Sequence, residues 1–381
     1  MNFFLIFAIL SLWLVISAWK PELRNRKISL AVMLILMLVL VFDFKVGVDT
    51  GSYIWLYKSI LRNEIDFRNM GYVYLIRTVQ MFTNRYALSV LAANIICIGL
   101  CFYTVIRYSR NYLMSFFLFF ASGIFLMYYS SGVRQMLAMA VFLFAFYEYL
   151  PGRKYIRYFA CCLLSVSFHE AGIISFLIPL IFLYQKLYRK NRRITLLASA
   201  GGIALGFGLI TFAVPWIVDN YWWVPVVSHF VRYLENTSIS VLGLGMECVW
   251  FAAALMLYLL SDREQRTDWD QFQIMTWGFV FAAYLCMARF PQTSRLCDYV
   301  QVIMLVSIPN WLEMIPDRRK KTAAVLPLIG LNFILLYGDM RFAVPMIQKH
   351  YPDIEVSMLS YPYVFIFDEP SIMKYYGRFM Q

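Results

Sequence analysis

Apolar runs recur along nearly the whole chain, and short polar loops separate them. Each run of roughly 18 to 22 residues is long enough to cross a bilayer core of ~30 Å as a helix. The pattern predicts full spans over about 2–19, 29–46, 86–106, 111–130, 133–150, 194–213, 241–260, 271–290, 296–315 and 322–338. Alternating ten-residue strands, the mark of an outer-membrane barrel, are absent. The expected class is therefore an all-α polytopic integral membrane protein of about 10 full spans, forming a single membrane domain over 1–381.

The segment 158–185 departs from this pattern because both its ends are basic. Arg153, Lys154 and Arg157 precede it, and Lys186, Arg189, Lys190, Arg192 and Arg193 follow it. Positive charge favours the cytoplasmic side, so the segment is expected to enter and return as a broken hairpin. Its two half-helices would meet near His169-Glu170, with Gly172 and Pro179 weakening the helix. That choice places the outer segments 47–85, 214–240 and 339–381 opposite the basic loops. Within 47–85, Ser52–Leu61 and Gly71–Phe82 show helical spacing and are expected as amphipathic interfacial helices. The 214–240 stretch reads as an aromatic belt or lid, and the tail as a cover for the outer mouth.

Composition agrees with this class: 61% of residues are hydrophobic and 15% charged, which excludes an ordinary soluble domain. The net charge of +12 would suggest nucleic acid in a soluble protein. Here the basic residues sit mostly in loops where they set orientation, so no nucleic-acid partner is expected. The seven cysteines fall in or beside apolar segments and read as small core hydrophobes. Neither their spacing nor the three histidines suggest a metal site. The first segment, lacking a basic start and a small-residue cleavage site, reads as a retained span.

Ionisable groups at membrane depth are costly and mark candidate sites. Arg134, beside Gln135 in Ser131-Gly132-Val133-Arg134-Gln135, opens an apolar helix. It is either a snorkelling arginine or an anion-binding fork suited to phosphate oxygens. His169 and Glu170 lie at the expected hairpin tip, either satisfying broken backbone or serving as a general base or proton-positioning pair. Asp49 follows a span directly, as a helix N-cap or as an acid, base or sugar ligand. Arg289 and Arg295 bracket an outer turn, where Arg295 could pair with Asp298 or join Arg134 in a cationic pocket. No cofactor is implied.

The order of these pieces resembles the EpsG family of bacterial exopolysaccharide proteins, related to Wzy polymerases of O-antigen and capsule. The likeness rests on Gly47, Asp49 and Tyr53, then Gly71-Tyr72, Arg134-Gln135-x-x-Ala138, Arg153-Lys154-Tyr155, Phe168-His169-x-Ala171 and Arg295-x-x-x-Tyr299. It runs across roughly residues 40 to 315 and is most specific at Arg134–Ala138 and Phe168–Ala171. Where the family places a glutamate before the Gly-Tyr pair, this chain has Asn69-Met70.

The resemblance implies a glycosyltransferase-C-like helical fold in the bacterial cytoplasmic membrane. It implies a polymerase that joins undecaprenyl-pyrophosphate-linked glycan units on the outer, periplasmic face, with membrane lipid around it and a chain-length regulator as partner. Arg134, His169 and Asp49 would be catalytic, with Arg134, Arg295 and Arg289 holding pyrophosphate. Gln135 and Glu170 would support substrate binding, and Tyr53, Tyr72 and Tyr299 would line the glycan path. An O-antigen ligase-type glycan transferase and a flippase or transporter remain alternatives on the same residues.

Overall fold

The structure is a computed structural model that describes residues 2–20, 22, 25–64, 70–221, 223–224, 241–287, 294–352, 354–361 and 363–380. Among them the backbone is helical apart from loops and one isolated antiparallel bridge, Asp43–Phe365. The chain divides into two compact units, Met1–Gly172 with Val302–Gln381 and Ile173–Gln301.

The first unit opens with α1 (Phe3–Trp19), whose first turn is closed by the Asn2 side chain accepting from the Leu5 N–H at 3.0 Å. Phe3, Phe7, Leu10 and Leu14 are buried on one face, while Leu5, Ile9, Leu12 and Ile16 stay exposed on another. An apolar stripe left outside at helical spacing is what lipid covers. The chain continues through α2 (Arg26–Val41), α3 (Thr50–Leu61), α4 (Met70–Gln80), α5 (Tyr86–Tyr108) and α6 (Tyr112–Ala121). Every residue of α6 is buried, making it the central element of this unit.

After α6, Gly123 takes a left-handed φ of 87°. The chain turns by 67° there into a π-helical stretch, Ile124–Ser131. Gly132 then leads into α7 (Val133–Tyr149), and a tight turn returns the chain as α8 (Tyr155–Phe168). The Ser165 hydroxyl donates to the Ala138 carbonyl at 2.8 Å and fixes the register of this antiparallel pair. The start of α7 and the end of α8 therefore lie together.

The second unit holds a 3-10 stretch running to Leu177, then α9 (Leu180–Lys190), α10 (Arg192–Tyr221), α11 (Val241–Leu260), α12 (Asp268–Met287) and α13 (Ser294–Gln301). No residue of α10 is buried. An apolar helix of 30 residues with none of them buried is stable only with hydrocarbon around it. The Arg189 guanidinium pairs with the Asp268 carboxylate, and the Gln185 amide donates to the Asp268 carbonyl at 2.9 Å. These contacts tie α9 to α12. Phe251 and Phe281 stack at 4.9 Å between α11 and α12.

The chain re-enters the first unit as α14 (Met304–Glu313), α15 (Arg318–His350) and α16 (Glu369–Met380). This makes a multi-pass helical membrane protein, with span lengths that differ from the hydropathy reading. Among the described residues four helical stretches, Tyr86–Tyr108, Glu170–Lys190, Arg192–Tyr221 and Arg318–His350, are long and apolar enough to cross, or five if the bent pair at Gly123 counts as one. The stretch 296–315 is two short helices rather than one, because a turn separates Gln301 from Met304. The stretch 322–338 runs on to His350, so the expected outer tail begins as helix. Hydropathy averages over such breaks and extensions, which are set by packing.

The end of α2 positions everything that follows. Asn94, fully buried on α5, donates its amide to the carbonyls of Val41 at 3.0 Å and Asp43 at 2.8 Å. The Tyr129 hydroxyl donates to the Leu40 carbonyl. The chain can then leave the helix without orphaned acceptors. Asn94→Leu is expected to leave the Val41 and Asp43 carbonyls without these donors, at about 1–3 kcal/mol for each orphaned group. A clear fall in melting temperature in detergent checks this, and an unchanged melt would refute it.

Candidate functional site

Residues 43–49 form a loop pressed against the start of α7. The Gly47 N–H donates to the Thr50 hydroxyl at 2.9 Å, and that hydroxyl donates to the Lys45 carbonyl at 3.1 Å. The Val48 N–H donates to the Ser131 hydroxyl at 3.1 Å. A Cβ on Gly47 would stand 2.2 Å from the Ser130 carbonyl oxygen, so no larger residue fits. From the other side the tail from Tyr351 to Ile366 straps the loop. The Tyr351 hydroxyl accepts from the Gly51 N–H at 2.6 Å and donates to the Val48 carbonyl at 3.2 Å. The Phe44 N–H donates to the Val364 carbonyl at 2.8 Å, and the Tyr361 hydroxyl donates to the Val46 carbonyl. The tail expected over an outer mouth is thus a strap on this loop.

Asp49 holds the N-cap position of α3 but makes no side-chain capping bond. Its carboxylate is exposed. One turn on, Tyr53 is buried, and its ring lies 5.6 Å from the Arg134 guanidinium carbon. The Arg134 N–H also approaches the Tyr53 hydroxyl at 3.4 Å. Tyr72, on α4, meets the Tyr53 ring edge-on at 5.6 Å. Burial pushes the Tyr53 phenol above its usual range, opposed by the nearby Arg134 charge and reinforced by Asp49. It stays protonated at neutral pH and works as a hydrogen-bonding wall rather than a phenolate.

The helix break expected near His169-Glu170 is present. His169 ends α8 in an extended conformation (φ −155°, ψ 133°), and Glu170 begins the 3-10 stretch. The Ala171 N–H donates to His169 Nδ1 at 3.2 Å. A Cβ on Gly172 would meet the Val166 backbone nitrogen at 2.9 Å, so the turn requires glycine. One on Gly71 would meet the Ser167 hydroxyl at 2.3 Å, which brings the start of α4 against the end of α8. Glu170 is exposed, and its charge acts on Arg134. Gln135 is buried beside it at the head of α7.

Arg134, Tyr53, Tyr72, Asp49, His169 and Glu170 are thereby gathered at one end of the first unit. The late residues belong to the stretch assigned to the second unit. Arg289 lies outside the described residues, as does the side chain of Arg295, whose backbone begins α13. Tyr299 is fully buried within the second unit. In that unit the Gln301 amide donates to the Glu247 carboxylate, a part-buried polar contact that the hydropathy pattern does not show.

Lys45 was also missed, because it fell inside the expected span 29–46. It is 2% exposed, and its Nζ sits 4.1 Å from the centroid of the Tyr129 ring. Beside it opens a cleft lined by Thr50, Tyr53, Tyr72, Tyr86 and Ser130. Among the described residues no group of three or more His, Cys, Asp and Glu is placed to hold a metal ion.

A multi-pass helical membrane protein with a guanidinium, an imidazole and a carboxylate beside a tyrosine wall is the class these features define. A family sequence profile described as the EpsG family matches residues 27–352. The chain belongs to the EpsG family, as the order of its motifs indicated. Neither a curated protein nor a solved structure matches it.

Gly47→Ala is expected to force the loop off Ser130, at about 1–3 kcal/mol from overpacking. Gly99→Ala adds its methyl to open space and serves as the control. Detergent melting should fall for the first and hold for the second. Equal melts would remove the case for close approach at Gly47.

Proposed function

We propose that this EpsG-family protein is a polysaccharide polymerase that joins undecaprenyl-pyrophosphate-linked glycan units at the outer face of the bacterial cytoplasmic membrane. The observation that carries the reading is Arg134 laid over Tyr53, with His169 at the same end of the α7–α8 pair. An arginine fork offers paired donors to pyrophosphate oxygens, and a tyrosine face suits sugar C–H surfaces. The loop charges favour this end on the outer side, where the lipid pyrophosphate is both activation and anchor. A glycosyltransferase-C-like arrangement, further spans among the shorter apolar helices and a chain-length regulator belong to the same proposal.

In the proposed reaction an acceptor hydroxyl oxygen attacks the donor's anomeric carbon. The bond from that carbon to the pyrophosphate oxygen breaks, and the electron pair leaves on pyrophosphate, where Arg134 stabilises it. The hydroxyl proton passes to a carboxylate, in this reading that of Asp49. His169 takes a different part from the base its residue type suggests. Because Nδ1 accepts the Ala171 N–H, the neutral ring carries its hydrogen on Nε2. His169 is then a donor to the departing phosphate or the sugar. Glu170 balances Arg134, and Gln135, Tyr72, Tyr299, Arg289 and Arg295 complete the substrate contacts.

The test is polymer-length analysis on gels in a deletion strain complemented at equal protein abundance. Arg134→Ala, Asp49→Ala and His169→Ala are expected to lose long polymer, by about 100-fold or more in rate for Arg134. His169→Gln, which keeps a donor near the Nε2 position, is expected to retain more activity than His169→Ala. Wild-type polymer from Arg134→Ala and His169→Ala would sink the reading, and equal loss in both His169 variants would return that residue to the role of base.

A further inference from the structure

Lys45 combines three features that packing alone does not account for. Its backbone sits at φ 68°, a left-handed conformation that costs a residue with a Cβ and that glycine would occupy more easily. Its ammonium is buried, with no hydrogen-bond acceptor. Lys45 also lines a small cleft of about 10 Å³, together with Thr50, Tyr53, Tyr72, Tyr86 and Ser130 and the apolar Phe44, Val90 and Val133. That space holds one water, or one oxygen atom of a larger group. Tyr53 forms the shared wall, since it lines this cleft and carries Arg134 against its ring.

The Asp43 carboxyl on the same loop acts on this ammonium, but no group accepts a hydrogen bond from it, and a bound anion would supply the missing acceptor. Tyr53 carries Arg134 against its ring and shares the lining of the cleft with Lys45, so two cationic residues border one tyrosine. We propose that Lys45 is a second cation of the donor site and seats one phosphate oxygen of the lipid pyrophosphate in the cleft it lines. The rest of the pyrophosphate stays with Arg134. This rests on the polymerase reading above and extends it to a residue outside the family's visible motifs.

The charged and titratable groups around Lys45 are Asp43 on its own loop, Cys97 on α5, Tyr129 after α6, and Tyr53, Tyr72 and Tyr86 across the cleft. Burial draws the Lys45 amine down to about 8, while Cys97 and Asp43 pull the other way. Burial also lifts the Asp43 carboxyl to about 7. Lys45 is therefore mainly charged at neutral pH and loses its charge as pH rises through about 8.

The experiment measures binding of farnesyl pyrophosphate and inorganic pyrophosphate to the purified full-length protein in nanodiscs. It compares wild type, Lys45→Met and Lys45→Arg. Lys45→Met should bind about 10- to 100-fold more weakly, as for loss of a charge-assisted hydrogen bond, and Lys45→Arg within about threefold of wild type. The ligand-free Lys45→Met protein should melt at or above the wild-type temperature, because methionine removes a buried charge that lacks a hydrogen-bond acceptor and Asp43, raised to about 7, can take up a proton in its place. Wild-type affinity should fall as pH rises through about 8, and that of Lys45→Arg should not. Equal losses for the two probes assign the seat to the phosphate itself, and a loss confined to the farnesyl probe assigns it to the lipid-linked form. Wild-type affinity in Lys45→Met overturns the proposal, as does a pH-independent wild type or a lower-melting Lys45→Met protein. Polymer synthesis is read separately, so a failed seat with intact Arg134 dependence is distinguishable from a failed polymerase reading.

Discussion

One side-chain amide determines where the second helix stops. In hydrocarbon a helix cannot simply end, because its last carbonyls have no water to accept from. Asn94, on a neighbouring helix, donates to two of those carbonyls, and Tyr129 closes a third. Only with these donors can residues 43–49 leave helical geometry and lie against the start of α7. The Arg134–Tyr53 contact depends on that placement, since Tyr53 stands one turn beyond the loop.

The site is consequently held from three directions that are far apart in sequence. Ser130 and Ser131 press it from the broken span, the tyrosines at 351 and 361 strap it from the tail, and α4 packs against the end of α8 through Gly71. Several contacts use main-chain atoms of the loop, so they fix its path without specifying its side chains. Such scaffolding leaves Asp49 exposed at the edge while Tyr53 is buried.

Much of this was legible from the residues alone. Arg134 and His169 stood out because charge and imidazole are expensive among apolar neighbours, and His169 ends α8 inside the segment 158–185. The bend at Gly123 was not legible, because a glycine barely lowers the hydropathy of the window around it. Asp43 and Lys45 were hidden for a related reason: they follow an apolar run that would continue as helix if Asn94 were elsewhere. The role of the tail was invisible too, since it rests on single tyrosine hydroxyls meeting main-chain atoms some three hundred residues away.

The helix α15 carries a mechanical consequence. Its 33 residues make a rod of about 50 Å, well beyond a hydrocarbon core of ~30 Å. It begins among Arg318, Arg319, Lys320 and Lys321 and ends immediately before Tyr351, the residue that grips Gly51 and Val48. A rod this long answers a change in bilayer thickness by tilting. Its far end then sweeps sideways and loads the tyrosine that holds the loop. A change in lipid thickness would then reach the tyrosine that holds the loop along one helix, less whatever bending Pro327 and Pro345 absorb.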